Sequence, residues 1–504
     1  MERSISSFVS SSNRATGNHL LREQNGLATA CSVFPEIRGA ADWREAALST
    51  LNEELRKQVN DDGSHVELST GYQWLVIDEF EKTYDLLKRF GLSLPRDNLQ
   101  DWLGRMCLFL ACMLRPDGTL PQINDGFILW QADRLAALGE KLGREDVVYL
   151  ATGGRSGSRP DQASIGFRNA GLHVMRDGWD GKGHYLLFDA GRYGGPHGHE
   201  DKLSIEVSAF ATPLIVDTGS YTYERTDPFR NYFVGSQGHN TVLVDGLSQV
   251  RRWDPANLAH ALSQGGDAIW KSHERYDLVR AAYDSGYGEF EIKRPQGAMI
   301  EHDVTHERTV VFVKPDYWVI FDVLTAAQPH DYQVLFHAPP EVRIRVPAPG
   351  QAIFESGATG AGLALLHLGG EATNSKVVNG EHDPVQGWYS PDHHHKQAAD
   401  TLIFETSSSG AAVLVTVLYP LARGSGVQEV GVDWVEVTGS TGRAVEIHGQ
   451  DGSRDVLLVS DLTGEKRFGD WTASAAMACV RMDAEGSQVD RFEWDGNDDT
   501  QDGR

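Results

Sequence analysis

The sequence predicts an α+β chain, with helices first and an antiparallel sheet second. Three observations carry this. Helical periodicity is confined to roughly the first 150 residues. A stretch rich in Gly, Ser and Pro, GGRSGSRPDQAS, follows at residues 153–164. Beyond it come short segments rich in β-branched and aromatic residues, separated by turn residues.

In chain order, ADWREAALSTLNEELRKQV reads as a helix with Asp42 as a candidate cap. Phe80, Tyr84 and Leu87 mark one face of a helix that follows Tyr72. Leu99, Trp102, Met106, Phe109 and Met113 recur at steps of three and four, the stripe of another. WQADRLAALGEKLG closes the helical part. After the Gly/Ser stretch, HYLLFDAG, LSIEVSAF, PLIVDTG, NTVLVDG, RTVVFVKPDYWVIFDVL, YQVLFHA, TLIFET and AAVLVTVLYP read as strands. No helix-length pattern alternates with them, so an antiparallel arrangement is expected, two sheets packed face to face. The expected domains are a helical unit over 1–152, a linker over 153–164, a β unit over 165–490 and a disordered acidic tail over 491–504.

At 504 residues the chain is long enough for two or three domains and a large core. A formal net charge of −25 argues against nucleic-acid binding, which needs a basic face. It also means that a polyanionic ligand must be held by local cations or amides. No apolar run approaches the ~20 residues of a membrane span, and MERSISSFVSSSNRATGNHLL lacks the apolar core of a secretory signal. That opening is expected either of a protein that stays inside the cell or of a chain whose true N-terminus lies upstream. Cys31, Cys107, Cys112 and Cys479 fit neither a zinc knuckle nor a disulfide framework and read as buried thiols.

Three stretches carry residues able to do chemistry. In GRYGGPHGHEDKLSIEVSAFATPLIVDTGSYTY, His197 and His199 are two apart and share one side of an extended segment. Asp217 ends PLIVD and His239 opens NTVLVD. Two imidazoles and a carboxylate at strand ends fit a zinc site, although strand-end histidines can also simply bond backbone. In DDGSHVELSTGYQWL, a loop carrying His65, Glu67 and Ser69 enters a helix at Tyr72. Spacing alone reads this as a capped helix start with Tyr72 as a packing residue. Asn18 and His19 open the first helical segment, where a cap is the plain reading of Asn18. The run His393, His394 and His395 reads as a solvated loop.

TGNHLLRE, DDGSHVELSTGYQW, PDGTLPQINDG, GPHGHEDKLSIEVSAFATPLIVDTGSYTY and GHNTVLVDG, in this order, resemble the signature segments of the heparinase II/III-like polysaccharide lyases, a superfamily that includes alginate and oligoalginate lyases. The resemblance runs from about residue 13 to 325. It implies a partial α/α toroid, short at its N-terminal end, followed by an antiparallel β-sandwich. It implies a lyase that cleaves an acidic, uronic-acid-containing polysaccharide by β-elimination in the cell envelope or periplasm.

By the same resemblance, Asn18 and His19 neutralise the uronate carboxylate, and Tyr72 and His197 share the acid and base roles. A structural Zn2+ is implied at His199, Asp217 and His239. Glu67, Tyr223 and Arg230 fall among its substrate-binding positions, with Tyr221 beside them. Two rivals remain: a carbohydrate-binding or exopolysaccharide-biosynthesis protein with the lyase fold, and a metal-dependent hydrolase. A lyase releases an ultraviolet-absorbing unsaturated uronate, a hydrolase only reducing ends, a binder neither.

Overall fold

Among the described residues six helices come first: Gly17–Val33, Ala40–Gln58, Thr70–Phe90, Leu99–Met113, Ala132–Leu142 and Glu145–Ala151. The computed structural model describes residues 16–127, 131–179, 182–250, 268–289, 300–369, 373–425, 430–460 and 464–496. The expected helical stripe at Leu99, Met106, Phe109 and Met113 is buried, as are Phe80, Tyr84 and Leu87. Ser69 caps Thr70–Phe90, accepting from the Tyr72 amide. Asp42 lies in the first turn of its helix, and the cap position belongs to Gly39 at φ +84°, a left-handed backbone that glycine reaches without strain. Among the described residues no helix is long and apolar enough to cross a membrane.

Beyond residue 160 every strand pairing in the described residues is antiparallel. Five strands between Ile165 and Ile215 form the first sheet, in chain order. Its Phe167, Leu172, Val174, Tyr185 and Leu187 pack into the helical core. Met175, Leu186 and Phe188 face the other way, into a second core.

That second core is shared with an eight-stranded sheet whose centre is Thr305–Val313, Tyr317–Thr325 and Ala412–Leu421. Period-two alternation splits its residues between two cores. Val310, Phe312, Trp318 and Ile320 point into the one, Val311, Val313, Val319 and Phe321 into the other, which a C-terminal sheet covers. Strands apolar on both faces, as in RTVVFV and YWVIFDVL, are what a layer buried on two sides requires.

Polar contacts also join the helical half to the first sheet. Buried Arg115 donates Nη2 and Nε to Glu206 at 2.6 and 2.8 Å, and Tyr185 donates its hydroxyl to the Met113 carbonyl at 3.0 Å.

Two expectations need correction. The acidic tail was expected from residue 491, but Gln488–Trp494 is a strand paired with Met477–Met482. Phe492 and Trp494, two apart, bury on one face of it, and that outweighs the local acidity. The β unit also contains a helix, Pro228–Val234, started by Asp227 accepting from the Phe229 amide at 2.9 Å. An Asp before a Pro at the first helical position was its legible signal. Residues 1–15, the start of the expected helical unit over 1–152, and residues 497–504 lie outside the described residues.

Candidate active site

Three loops meet where the helical half abuts the first sheet, and each is fixed by backbone. The Glu67 loop leads into Thr70–Phe90. The loop holding His197 passes so close that a Cβ on Gly194 would lie 2.3 Å from the Glu67 carbonyl oxygen, hence glycine there. The segment Gln122–Gly126 wedges between them. Asn124 donates to the Leu68 carbonyl at 2.9 Å and accepts the His199 amide at 2.8 Å, and the Asp125 amide donates to the His197 carbonyl at 3.1 Å.

Asp125 is the centre of the arrangement. Its side chain is 1% exposed. Oδ2 lies 2.9 Å from His197 Nδ1. Oδ1 lies 3.2 Å from His199 Nε2, accepts from Arg230 Nη2 at 2.8 Å and from Ser220 Oγ at 2.9 Å. Burial works to raise this carboxyl's pKa, yet the hydrogen bonds from His197 and His199 and the charge of Arg230 hold it well below the usual range. An ionised Asp125 fixes the proton of His197 on Nδ1 and leaves Nε2 as the acceptor.

The Tyr72 ring stacks on His197, with centroids 3.7 Å apart and planes at 25°. Its hydroxyl sits 3.5 Å from that of Tyr223. Burial raises the Tyr72 pKa, Asp125 and Glu67 add to this, and the Tyr223 hydroxyl and Arg230 oppose it. The phenol is therefore protonated at neutral pH. Arg230 also lies against the Tyr223 face, 5.3 Å from the ring centroid, and Tyr223 is 43% exposed at the mouth. Half-buried Glu67 has its carboxyl raised by burial, against the charges of His197 and His19. His65 is pushed down to about 3, by burial first.

Tyr72, His197, Glu67, Tyr223 and Arg230 are thus brought together. Exposed His19 opens the first helix near enough for its charge to act on Glu67, and half-buried Asn18 precedes it. His393 is exposed, as its loop was expected to be, but its ring lies 5.5 Å from that of Tyr223 and 5.8 Å from that of Phe127. Tyr221 lies behind the mouth, buried, accepting from Lys396 Nζ at 2.9 Å.

The metal-ligand geometry differs from the expected set. His199, Asp201 and His239, all buried, bring ligating atoms within 4.8 Å of one another. Asp217 is outside that group, with its Oδ2 2.7 Å from His239 Nδ1. The carboxylates Asp125 and Asp217 engage Nε2 of His199 and Nδ1 of His239, so a ligating role falls to the opposite ring nitrogens, His199 Nδ1 and His239 Nε2. Burial lowers the His199 pKa, favouring the neutral imidazole that binds metal. This donor set suits a divalent transition ion.

Asp125, Asn124, Ser220 and Asp201 carry the site and were not singled out in the sequence. The signal for the first two was present in QINDG, where Asn124 takes φ +57°. Asp201 stands two residues after His199, the spacing that also separates His197 from His199, whereas Ser220 carried no signal, because only the fold brings it to Asp125.

Two family models match the chain: "Heparinase II/III-like, C-terminal" over residues 159–418, more than half of the chain, and "Heparinase II/III N-terminus" over residues 3–141. A heparin-sulfate lyase of Pedobacter heparinus is 25% identical over 324 residues, which are 62% of this chain and 45% of that protein. One of Bacteroides stercoris is 26% identical over 336 residues, 64% of this chain and 46% of that protein. The chain therefore spans a little under half the length of these relatives. Among solved structures, a heparinase III superposes with TM-score 0.71 at 23% identity, covering 91% of this chain and 66% of that one. The heparan sulfate lyase of Pedobacter heparinus gives 0.69 at 20% identity, covering 88% and 66%.

Proposed function

We propose that this chain, which belongs to the heparinase II/III-like family, is a polysaccharide lyase that cleaves a uronic-acid-containing polysaccharide by β-elimination. The observation that carries the reading is the Asp125–His197–Tyr72 stack: a carboxylate orienting a base, beside a protonated phenol.

The C5 proton of a uronate is α to a carboxylate and too weakly acidic to leave unaided. His197 Nε2 takes that proton, and its electron pair becomes the C4–C5 double bond. The C4–O4 bond breaks, and the departing O4 receives the Tyr72 hydroxyl proton. The imidazolium that forms is stabilised by Asp125, as in other carboxylate–histidine pairs. Charge on the uronate carboxylate is met by Asn18 and His19. Arg230, Tyr223 and Glu67 hold the sugar, Glu67 as a donor when its raised carboxyl is protonated. The substrate class tested first is a sulfated glycosaminoglycan of the heparan type, after the names of the relatives, with alginate as the contrast. The location that fits such a substrate is the cell envelope or periplasm, and the architecture that fits the family is a partial α/α toroid on a β-sandwich.

Zinc at the buried histidines is read as structural, pinning the loop that carries His197. Two carboxylates compete to complete the site. Asp201 lies with the histidines already, whereas Asp217 would exchange its hydrogen bond to His239 for the ion. Metal content of Asp201→Asn and Asp217→Asn decides between them: the ligand's loss empties the site, and loss of an orienting carboxylate weakens it by about 10–100-fold.

The test of the main reading is a panel of uronic acid polymers screened for an ultraviolet-absorbing product, repeated with Tyr72→Phe. The expected loss of turnover is about 10²–10⁴-fold with an unchanged melting temperature. Near-normal turnover by Tyr72→Phe removes Tyr72 from the mechanism, and reducing ends without absorbance remove the lyase. The same panel decides the rival reading, a carbohydrate binder with the lyase fold. Binding of the polymers with no product establishes it instead.

A further inference from the structure

Outside the cleft, a second group of imidazoles and a carboxylate converges at the far end of the strand that begins beyond His239. Val242–Val244 runs into the two-residue hairpin Asp245-Gly246, closed by Val244 and Leu247, whose amides and carbonyls bond each other at 2.8 and 3.3 Å. Both central residues have positive φ, +53° and +76°, the type I′ geometry that a two-residue hairpin selects. Asp tolerates that backbone better than most side chains, so the turn fixes where its carboxylate stands.

The carboxylate is then aimed. The Asp331 amide donates to Asp245 Oδ1 at 2.7 Å, and the Asp245 amide donates to the Asp331 carbonyl at 2.7 Å. With Oδ1 engaged, Oδ2 faces two rings. His330 Nδ1 is 2.7 Å away and His302 Nε2 is 3.0 Å away. The rings themselves are 4.7 Å apart. His330 begins the strand His330–His337, which pairs with Val242–Val244 through Tyr332 and Val244. His302 ends Ile300–His302, paired with Tyr287. Strands thus hold both histidines, and a turn pinned by backbone hydrogen bonds to Asp331 holds the carboxylate, the condition for a preformed site.

We infer that Asp245, His302 and His330 form a surface site for a divalent transition-metal ion of the Zn2+, Co2+ or Ni2+ class, separate from the cleft. The three ligating atoms lie within 4.8 Å of one another. Two imidazole nitrogens and one carboxylate oxygen select this class over Mg2+ or Ca2+, which take oxygen. The hydrogen bond from Asp331 to Oδ1 is the outer support that metal-ligating carboxylates commonly have. Binding moves the proton on His330 Nδ1 and that on His302 Nε2 to the opposite ring nitrogens or to solvent. The Asp245 and His302 side chains are 32% and 27% exposed, so water completes the coordination. An ion here ties the Asp245 hairpin to two other strands.

The test is a Co2+ titration of the metal-free full chain, followed by visible absorption and calorimetry, beside His302→Gln and Asp245→Asn. Any cleft site is common to all three proteins and cancels in the difference. The wild type is expected to bind one equivalent more than either variant, or to bind it at least about 10²-fold more tightly, with Zn2+ displacing the Co2+. Equal stoichiometry and affinities within about threefold overturn the inference. A readout on the wild type alone guards against a variant that misfolds. Zn2+ should protect His302 and His330 from carbethoxylation, mapped by peptide mass, and unchanged modification of both also overturns the site.

Discussion

Two aspartates in this molecule each gather two histidines, and everything around them differs. Asp125 is enclosed, 1% exposed, and also holds Arg230 and Ser220. Asp245 stands at a hairpin, 32% exposed, with one backbone amide beside its two imidazoles. The guanidinium decides what each carboxylate does. At Asp125 a fixed positive charge already compensates the anion, so its chemistry is to orient His197. At Asp245 no guanidinium or ammonium partner is recorded among the described residues, and the charge is available to an ion. The same set of one aspartate and two histidines thus reads as a hydrogen-bonded hub or as a metal site according to burial and the neighbouring cation.

The sharpest way to break this comparison is Asp125→Asn. It leaves the buried Arg230 without its carboxylate and His197 without its orienting acceptor. Removing one partner of a buried charge pair costs about 3–5 kcal/mol, and chemical denaturation should show a loss in that range, together with loss of turnover. A cost below about 1 kcal/mol would mean that Asp125 is protonated or the cluster solvated, and the distinction from Asp245 would fail.

Acid sharpens the contrast, because burial sets its sign. His65 and His337 are pushed down to about 3, and His173 and His367 to about 4, all chiefly by burial. The fold keeps these rings neutral while the unfolded chain takes up a proton near pH ~6.5. Their contribution is therefore complete above that value. It falls as pH drops toward each folded value, at up to about 1.4 kcal/mol per pH unit for each ring. Melting temperatures between pH 7 and 4 should decline, and His65→Gln should decline less steeply. Parallel curves for the two proteins would show that His65 is solvated in the fold.

The order of helices and sheet was legible because periodicity reports which face is buried, as at Leu99, Met106 and Met113 or at Val310 and Phe312. The strand ending at Trp494 was hidden by acidic neighbours, since charge is a weaker signal than two aromatics at a spacing of two. At the cleft, Tyr72 and His197 were legible by family resemblance only. Spacing alone left Tyr72 as packing, and no local pattern says that residues 125 places apart will stack. Asp125 was missed for the same physical reason: a carboxylate acquires its role from groups brought by tertiary structure. Asp245 shows the converse, because Asp-Gly between apolar runs announced its turn but not the two histidines.

A smaller effect tests how evenly the buried hub is shared. Ser220→Ala removes one hydrogen bond to the ionised Asp125 Oδ1 and one acceptor of Arg230, whose Nη1 also bonds the Ser220 carbonyl at 3.0 Å. The expected cost is about 1.5–3 kcal/mol, the range for a hydrogen bond to a charged group, with turnover reduced only slightly, measured by denaturation and product absorbance. A loss as large as that of Asp125→Asn would move the weight of the hub from the guanidinium to the hydroxyl.

The smallest effect belongs to the exposed aspartate. Asp245→Asn keeps the left-handed turn, because Asn is at ease at positive φ. Its amide oxygen still accepts the Asp331 amide, so the hairpin and its pairing survive. What disappears is the charge facing His302 and His330, and exposed ion pairs contribute about 0–1 kcal/mol. Without metal, wild type and Asp245→Asn should therefore unfold within about 1 kcal/mol of each other. With Zn2+ present they should separate, since an ion that binds only the folded state stabilises by about 2.7 kcal/mol at a hundred times its dissociation constant. The variant should lack that increment. Differential scanning calorimetry with and without Zn2+ gives both numbers. If Asp245→Asn costs as much as Asp125→Asn in metal-free buffer, burial and the Arg230 guanidinium do not separate the two aspartates. If the two proteins rise equally with Zn2+, the ion that stabilises them binds away from Asp245.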